Sequence, residues 1–286
     1  MSATENATIV RATGLLVIEV INSNPNGDPD RESDPRQRPD GKGEISPVSF
    51  KRKVRDLIEN KEGDVWREIS QTLSLEPAQF AVLESRGRDR KAIESQLKDG
   101  TFKKLYWDGR VFGNTFLEEG GADTIRTGVV QFGLGLSVAP IDISRHTNTN
   151  KSGVQEGKDR GMAPMGYRFV PHGVYCMPFF VNPSAAHKSG CTKQDIDLLL
   201  RVIPFAYPHT RSHARPMVEV RHGWYIEHKN VLGSCSDFAL IAALTPTKRQ
   251  EPNLPSKAWD DYEVPSKLPD NLQAKVGSIR DLMEVS

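Results

Sequence analysis

The chain has 286 residues, enough for one large domain or two ordinary ones and for a sizeable hydrophobic core. Its 38 Lys and Arg residues are balanced by 37 Asp and Glu residues. This balance excludes a chain that coats nucleic acid with a uniformly basic surface, so any nucleic-acid site is expected to be local.

The sequence also indicates where in the cell the protein is found and whether it binds a metal or cofactor. Cys176, Cys191 and Cys235 are far apart and in no metal-ligand spacing, which favours free structural thiols in a reducing cytoplasm. The N-terminus lacks a charged-then-apolar signal pattern, and the apolar runs are much shorter than the roughly 18 residues that span a membrane. We therefore expect a cytoplasmic protein with no membrane contact, no metal and no cofactor.

The first predicted elements are a strand, a long loop and a helix. Residues 14–22 form a nearly continuous apolar run rich in β-branched side chains, typical of a strand buried on both faces. The loop that follows is rich in Pro, Gly and charges of both signs, so it is expected on the surface. Ser46 is a good N-cap and Pro47 suits the first helical position, which predicts a helix over residues 46–60.

This helix carries a candidate phosphate site. At about 100° per residue, Lys51, Arg52 and Arg55 fall within an arc of roughly 100° beside the apolar seam. Lys53 lies apart from them. Clustered cations near a helix N-terminus favour binding of a phosphate backbone, although a solvated helix face explains the same pattern equally well.

The remaining elements follow from periodicity and capping signals. Residues 63–99 have helical periodicity with few aromatic residues, which suggests a helical insertion rather than part of the core. Thr192, with Asp195 three residues later, predicts a capped helix. The later predicted elements are a strand over 128–138, a strand over 167–181, a helix over 192–206, a strand over 216–228 and a last helix near 270–284.

The order of the main elements is β-α-β-β-α-β, which predicts an α+β fold of the ferredoxin-like type shared by RNA-recognition modules. We expect this domain to occupy residues 1–246, with interruptions at 61–120 and 141–166. A polar segment as long as 141–166 is unusual in a compact domain unless it is functional or disordered. Residues 247–286 are expected to form a Pro-rich C-terminal extension.

Five ordered motifs carry a resemblance to a known family: NSNPNGDPD, ISPVSFKRKVRD, DGRVFG at 108–113, GVVQF at 128–132 and HGVYCMPFFVNP at 172–183. Together they resemble the backbone subunit of Cascade, the CRISPR surveillance complex, within the seventh Cas protein family of the RAMP superfamily. The type I-C branch is the most similar. The resemblance covers most of residues 14–230.

The resemblance implies an RRM-like palm with a helical finger-like insertion at 61–120 and a β-hairpin thumb at 141–166. It also implies a non-catalytic subunit whose copies stack head to tail along one guide (CRISPR) RNA. Such a filament presents the guide to complementary target DNA in antiviral defence. The implied protein partners are the RNA-processing subunit and the large PAM-reading subunit of Cascade.

This interpretation gives a set of expected RNA contacts. Wedging between stacked bases needs flexible or flat apolar groups, and such residues lie at the expected thumb tip. A mobile loop whose charges only solvate it is the alternative for this segment. The expected RNA-binding residues are Asn22, Asn24, Lys51, Arg52, Arg55, Arg126, Gln131, Arg145 and His146, and the expected wedge residues are Met162, Pro164 and Met165.

Acidic residues in the long loop support a rival function. Related backbone subunits of type III complexes cut bound target RNA with an acidic residue in the equivalent loop. Asp28, Asp30, Asp34 and Asp40 are therefore candidates for a metal-dependent RNase. Carboxylates among Pro and Arg are also common in ordinary turns, and the similarity to type I-C implies binding without cleavage.

Two further patterns have ordinary structural explanations. His209 and His213 have the spacing of helical zinc ligands, but the prolines that flank them favour a turn. Tyr175 and Trp224 lie on predicted strands, where aromatic residues of RNA-recognition modules stack on bases. Packing in the core explains both residues better.

Overall fold

The computed structural model describes residues 8–85, 90–113, 127–150 and 163–284. Its strands are β1 (Ala12–Ser23), β2 (Lys42–Ile45), β3 (Val130–Phe132), β4 (Gly135–Pro140), β5 (Ser144–Asn150), β6 (Ala163–Val181), β7 (Val218–His228), β8 (Thr247–Lys248), β9 (Tyr262–Glu263) and β10 (Val276–Asp281). Its helices are α1 (Pro47–Glu59), α2 (Asp64–Thr72), α3 (Arg90–Asp99), α4 (Phe102–Leu105), α5 (Trp107–Phe112), α6 (Ala186–Ser189), α7 (Lys193–Val202), α8 (Asp237–Leu244) and α9 (Asp270–Gln273). None of these helices is long and apolar enough to cross a membrane.

An antiparallel sheet organises the chain. Its strand order is β10-β7-β1-β6-β4-β2, and β3 and β5 pair with other parts of β6. The apolar run of β1 lies between β6 and β7, where Leu16 is opposite Met177 on one side and Gly223 on the other. The protein is therefore a mixed α/β fold on an antiparallel sheet, as the sequence predicts.

The capping signals identified in the sequence are present. Ser46 Oγ accepts a hydrogen bond from Ser49 N at 3.2 Å, and Pro47 occupies the first position of α1. Thr192 Oγ1 accepts from Asp195 N at 3.3 Å, and the Asp195 carboxylate accepts from Thr192 N at 2.8 Å. Each cap satisfies backbone N–H groups that have no partner inside the helix, which fixes where α1 and α7 begin.

The strand predicted over 128–138 is divided into β3 and β4. Phe132 pairs with Phe179 but Leu136 pairs with Cys176, so four steps on one strand face three on the other. This register is that of a β-bulge with one extra residue. The break lies opposite Pro178, which has no N–H for the ladder, and Gly133 N donates to its carbonyl at 2.8 Å.

Residues 63–99 were expected to form a helical insertion rather than part of the core, and this expectation is wrong for much of the segment. Trp66, Phe80 and Trp107 are buried in the same hydrophobic cluster as Phe50 of α1 and Phe179 of β6. Periodicity shows that a helix has an apolar face but not which surface covers that face. Much of this segment therefore belongs to the helical layer that covers one face of the sheet.

Two buried ion pairs join this segment to the helices on the sheet. Asp108, which is 1% exposed, accepts from Arg55 Nε of α1 at 2.8 Å and from Leu83 N at 2.6 Å. Arg110 binds both oxygens of Asp195 of α7, at 2.6 and 3.0 Å. The motif DGRVFG therefore supplies a carboxylate for α1 and a guanidinium for α7.

The C-terminal part of the chain covers the other face of the sheet. Leu15, Trp224 and Ile226 pack there against Leu240 of α8 and Tyr262 of β9. The last helix predicted near 270–284 is wrong, because only the short α9 forms and β10 then pairs with β7. The edge of β7 offers unpaired N–H and C=O groups, and the strand-forming residues of β10 satisfy them.

The first testable prediction concerns the pair Arg55–Asp108. Asp108→Asn leaves the buried Arg55 guanidinium with only the exposed Glu84 carboxylate, 3.3 Å away, as a counter-charge. We therefore expect a loss of about 3–5 kcal/mol in the free energy of unfolding. Urea denaturation followed by circular dichroism measures it. Asp64→Asn is the control because this carboxylate is 91% exposed and its ion-pair contact with Arg67 is a long one of 3.8 Å. A loss below about 1 kcal/mol for Asp108→Asn would contradict a structural role for the pair.

Candidate nucleic-acid interface

A two-stranded ribbon extends beyond the sheet. Its strands are β5 and the first part of β6, paired from Ser144 opposite Phe169 to Asn150 opposite Ala163. The pairing of β1 with β6 ends at Val170, so this part of β6 pairs with β5 alone. The segment predicted as a β-hairpin thumb thus begins as an antiparallel ribbon.

The expected wedge lies only partly within this ribbon. Pro164 and Met165 belong to β6, where their backbones are opposite Thr149 and Asn148. Met162 lies outside the described residues, as does Arg126. The wedge therefore remains a prediction about the far end of the ribbon.

The asparagines of the motif NSNPNGDPD shape the loop beside the ribbon. Asn22, the second-last residue of β1, has a φ of 43°, in the left-handed region that Asn tolerates well. Asn24 is buried and its Nδ2 donates to the carbonyl of Ser33 at 2.8 Å. Asn26 Oδ1 accepts from Ser46 N, the N-cap of α1, at 2.7 Å. The motif therefore gives the loop a defined shape, and Asn24 has a structural role there.

A cleft of about 360 Å³ lies between this loop and the base of the ribbon. The buried Asp34 carboxylate accepts from Arg145 Nε at 3.2 Å, and Arg168 Nε lies 3.4 Å from it. Arg168 also binds Glu32. The hydrogen bond and charge of Asp34 raise the pKa of the Arg145 guanidinium above its ordinary value. We call this the hairpin-base cleft, lined by Arg31, Glu32, Asp34, Pro35, Gln37, Ile143, Arg145 and Arg168.

Aromatic rings lie next to the hairpin-base cleft. His146 is exposed and meets the Phe169 ring edge-on, with centroids 5.0 Å apart. Tyr167 packs 4.9 Å from Phe169 and 5.5 Å from His213, and its hydroxyl donates to the Asn22 carbonyl at 2.8 Å. Cations beside exposed aromatic rings are the groups that hold single-stranded nucleic acid, by phosphate contact and by base stacking. The structure thus brings Asn22, Arg145 and His146 together.

The three cations predicted on α1 lie elsewhere, against the helical segment. Arg55 is only 4% exposed and is bound to Asp108, so the structure gives it an internal role instead of a phosphate contact. Arg52 binds Asp56 and Glu59, each at 2.7 Å. Lys51 lies over the Phe112 ring at 4.8 Å, and burial, followed by the charge of Arg55, lowers its pKa. The predicted basic arc is therefore largely neutralised within the fold.

Gln131 is separate from both groups. It is exposed on β3 and pairs with Phe180, near the end of β6 that lies away from the ribbon. Phe180 is 13 residues from Tyr167 along the strand, which corresponds to about 43 Å. The expected RNA contacts therefore do not form one continuous surface.

The candidate acidic residues mostly stabilise the loop itself. Asp28 Oδ1 accepts from Asp30 N at 3.2 Å, and Asp40 Oδ1 accepts from Lys42 N at 3.1 Å. Asp34 is bound by the two arginines of the cleft. In the portions of the chain that the structure describes, no three His, Cys, Asp or Glu side chains are arranged to hold a metal ion.

Sequence reasoning missed a second set of cations near the cleft. His209, Arg211, His213 and Arg215 lie in the turn before β7, and Lys53 of α1 lies behind it. On a helical wheel, Lys53 falls outside the arc of Lys51, Arg52 and Arg55, and this position alone suggests no binding role for it. The available signal was charge, since no acidic residue occurs between Asp197 and Glu219.

The ion pairs of the cleft generate the second prediction. Asp34→Asn removes the charge that holds Arg145 and Arg168, so the base of the ribbon should open more often. We expect amide hydrogen exchange in residues 144–147 to accelerate about fivefold, which corresponds to about 1 kcal/mol. Asp40→Asn is the matched control in the same loop. Equal exchange in the two variants would show that Asp34 does not fasten the ribbon.

The family model for CRISPR-associated protein Cas7 matches residues 10–267. A search of curated proteins found no match. A solved chain described as "CRISPR RNA-guided surveillance complex, pre-nicking" is similar, with 16% identity, a TM-score of 0.47 and 75% of each chain covered.

A second solved chain, described as "CRISPR RNA-guided surveillance complex", has 17% identity and a TM-score of 0.43, with 81% of this chain and 75% of that chain covered. Both likenesses are distant, so the assignment depends on the family model, which spans most of the sequence. The chain belongs to the CRISPR-associated Cas7 family.

Proposed function

We propose that this Cas7 protein is the repeated backbone subunit of a type I-C-like Cascade complex, which binds guide RNA and presents it to complementary target DNA without cutting either strand. The observation that carries the proposal is the hairpin-base cleft. There, the exposed Arg145 and the half-buried Arg168 lie next to the exposed His146 and the half-buried Tyr167 at the base of the ribbon.

The sheet supports a ferredoxin-like palm for this function. The strands that correspond to β-α-β-β-α-β are β1, the divided β3 and β4, β6 and β7, with α1 and α7 between them. Their order across the sheet is β7-β1-β6-β4. This order places the first and third strands at the centre, as two split βαβ units require. In this proposal the helical segment is the finger and the ribbon is the thumb.

The arginines of the cleft can exchange a carboxylate for a phosphate. The Arg145 side chain is 62% exposed and presents two N–H groups to the two oxygens of Asp34. Phosphate oxygens accept the same forked arrangement of donors. In the absence of RNA, Asp34 and Glu32 hold these guanidinium groups; a phosphate would compete for them.

The charge balance of the chain is compatible with assembly. A formal net charge of +1 avoids strong self-repulsion when copies stack head to tail. Adjacent copies on one RNA would then bind tightly because each weak contact raises the effective concentration of the next. The RNA-processing subunit and the large PAM-reading subunit are the further protein partners in this proposal.

The rival function is a metal-dependent RNase that uses an acidic residue of the loop. Asp34 is the one of the four candidate aspartates that lines the hairpin-base cleft, yet two guanidinium groups already bind it. A metal ion would have to compete with those cations for the same oxygens. Incubation of the assembly with labelled complementary RNA and Mg²⁺ tests the choice, because periodic cuts abolished by Asp34→Ala would establish the rival.

The third prediction tests the cleft directly. The double variant Arg145→Gln/Arg168→Gln should bind guide RNA about tenfold more weakly, and the slope of log K against log salt should fall by about 0.7 for each phosphate that the variant no longer neutralises. Fluorescence anisotropy over a salt series measures both. Arg67→Gln/Arg201→Gln is the control, since it removes two exposed arginines from α2 and α7. Unchanged affinity and slope in the cleft variant would contradict the proposed RNA site.

A further inference from the structure

The turn before β7 is a basic element that lies outside the hairpin-base cleft. Residues 209–215, which we call the basic turn, read HTRSHAR. His209, Arg211 and His213 are exposed. The turn is fastened to the long loop because the Ala214 carbonyl accepts from Asn24 N at 2.7 Å. Its cations are therefore presented from a fixed backbone.

Lys53 lies behind the basic turn in an unusual environment. It is 6% exposed, and its Nζ lies 3.3 Å from Thr210 Oγ1 and 5.3 Å from the centre of the Tyr207 ring. Burial, and then the charge of Arg215, lower the pKa of Lys53 to about 8, against a smaller opposite effect of Asp56. Asp56 itself is bound by Arg52.

The cations of this group lack counter-charges within the described residues. No carboxylate of that part lies within 4 Å of Lys53, Arg211 or Arg215. The Nε of Arg215 is shielded from solvent and has no acceptor there. Two arginines that are as well buried as Lys53 do have carboxylate partners: Arg55 pairs with Asp108, and Arg110 pairs with Asp195. A buried positive charge without a counter-charge is unfavourable in the free protein, and a bound anion would supply that counter-charge.

We propose that the basic turn and Lys53 form a phosphate site for nucleic acid, separate from the hairpin-base cleft. The inference rests on the proposed function. The ring centroids of His213 and Tyr167 lie 5.5 Å apart, so the basic turn meets the aromatic group beside the hairpin-base cleft. A strand that passes Tyr167 then has the cations of the cleft and those of the basic turn near its phosphates.

The fourth prediction uses two variants: one changes the arginines of the basic turn, and the other changes the buried lysine behind it. Arg211→Gln/Arg215→Gln changes the turn itself and should lower affinity for guide RNA about tenfold, with a salt slope shallower by about 1.4. Lys53→Met replaces a buried ammonium group that has no nearby counter-charge among the described residues by an apolar chain of similar length. It should bind RNA more weakly while its melting temperature stays the same or rises, because the free protein loses an unfavourable charge.

A control variant, and the addition of guide RNA before complementary DNA, distinguish the possible results. Arg67→Gln/Arg201→Gln should bind like the wild type. Measurements with guide RNA alone, and then with complementary DNA added to the RNA-bound assembly, show which strand supplies the phosphate. A defect at either step supports the site. Wild-type affinity and slope for Arg211→Gln/Arg215→Gln at both steps overturn it, whereas a wild-type chain that binds no RNA contradicts the proposed function instead.

Discussion

Both faces of the central sheet are covered, and this constraint determines where a ligand can bind. Alternate residues of β1 face opposite layers: Leu16 packs with the helices α1 and α7, and Leu15 packs with α8 and the C-terminal extension. Trp224 and Tyr175 are buried between these layers. The open sheet that stacks bases in simple RNA-recognition modules is therefore absent from the described residues.

The end of the sheet where β1 finishes presents exposed polar groups, among them Arg145, His146 and Arg211. The long loop, the ribbon of β5 and β6, and the basic turn all meet there, joined by the bond from Asn24 N to Ala214 O and by the bond from Tyr167 to Asn22. Loops held by a rigid scaffold are where proteins commonly place binding groups. The covered faces supply that rigidity, and the buried pairs Arg55–Asp108 and Arg110–Asp195 fasten the helical layer to itself.

The sequence predicted the features that depend on neighbours along the chain. Ser46, Pro47 and Thr192 mark helix starts because a cap acts within three residues, and the apolar run of β1 shows burial on both faces. Contacts across long separations could not be predicted in this way. Arg55 meets a carboxylate 53 residues away, and the residues of β10 become a strand because β7 has a free edge. The environment of Lys53 is likewise determined by residues far away in the sequence, such as Tyr207 and Thr210, and a helical wheel contains no information about them.

The central claim is that the covered sheet directs RNA to the end of β1. Ultraviolet crosslinking of the protein to a guide RNA that carries photoreactive bases, followed by mass spectrometry of the peptides, tests this most directly. The account predicts crosslinks in residues 22–45, 144–150, 166–170 and 207–217. Crosslinks concentrated in residues 237–276, which cover the second face of the sheet, would contradict it.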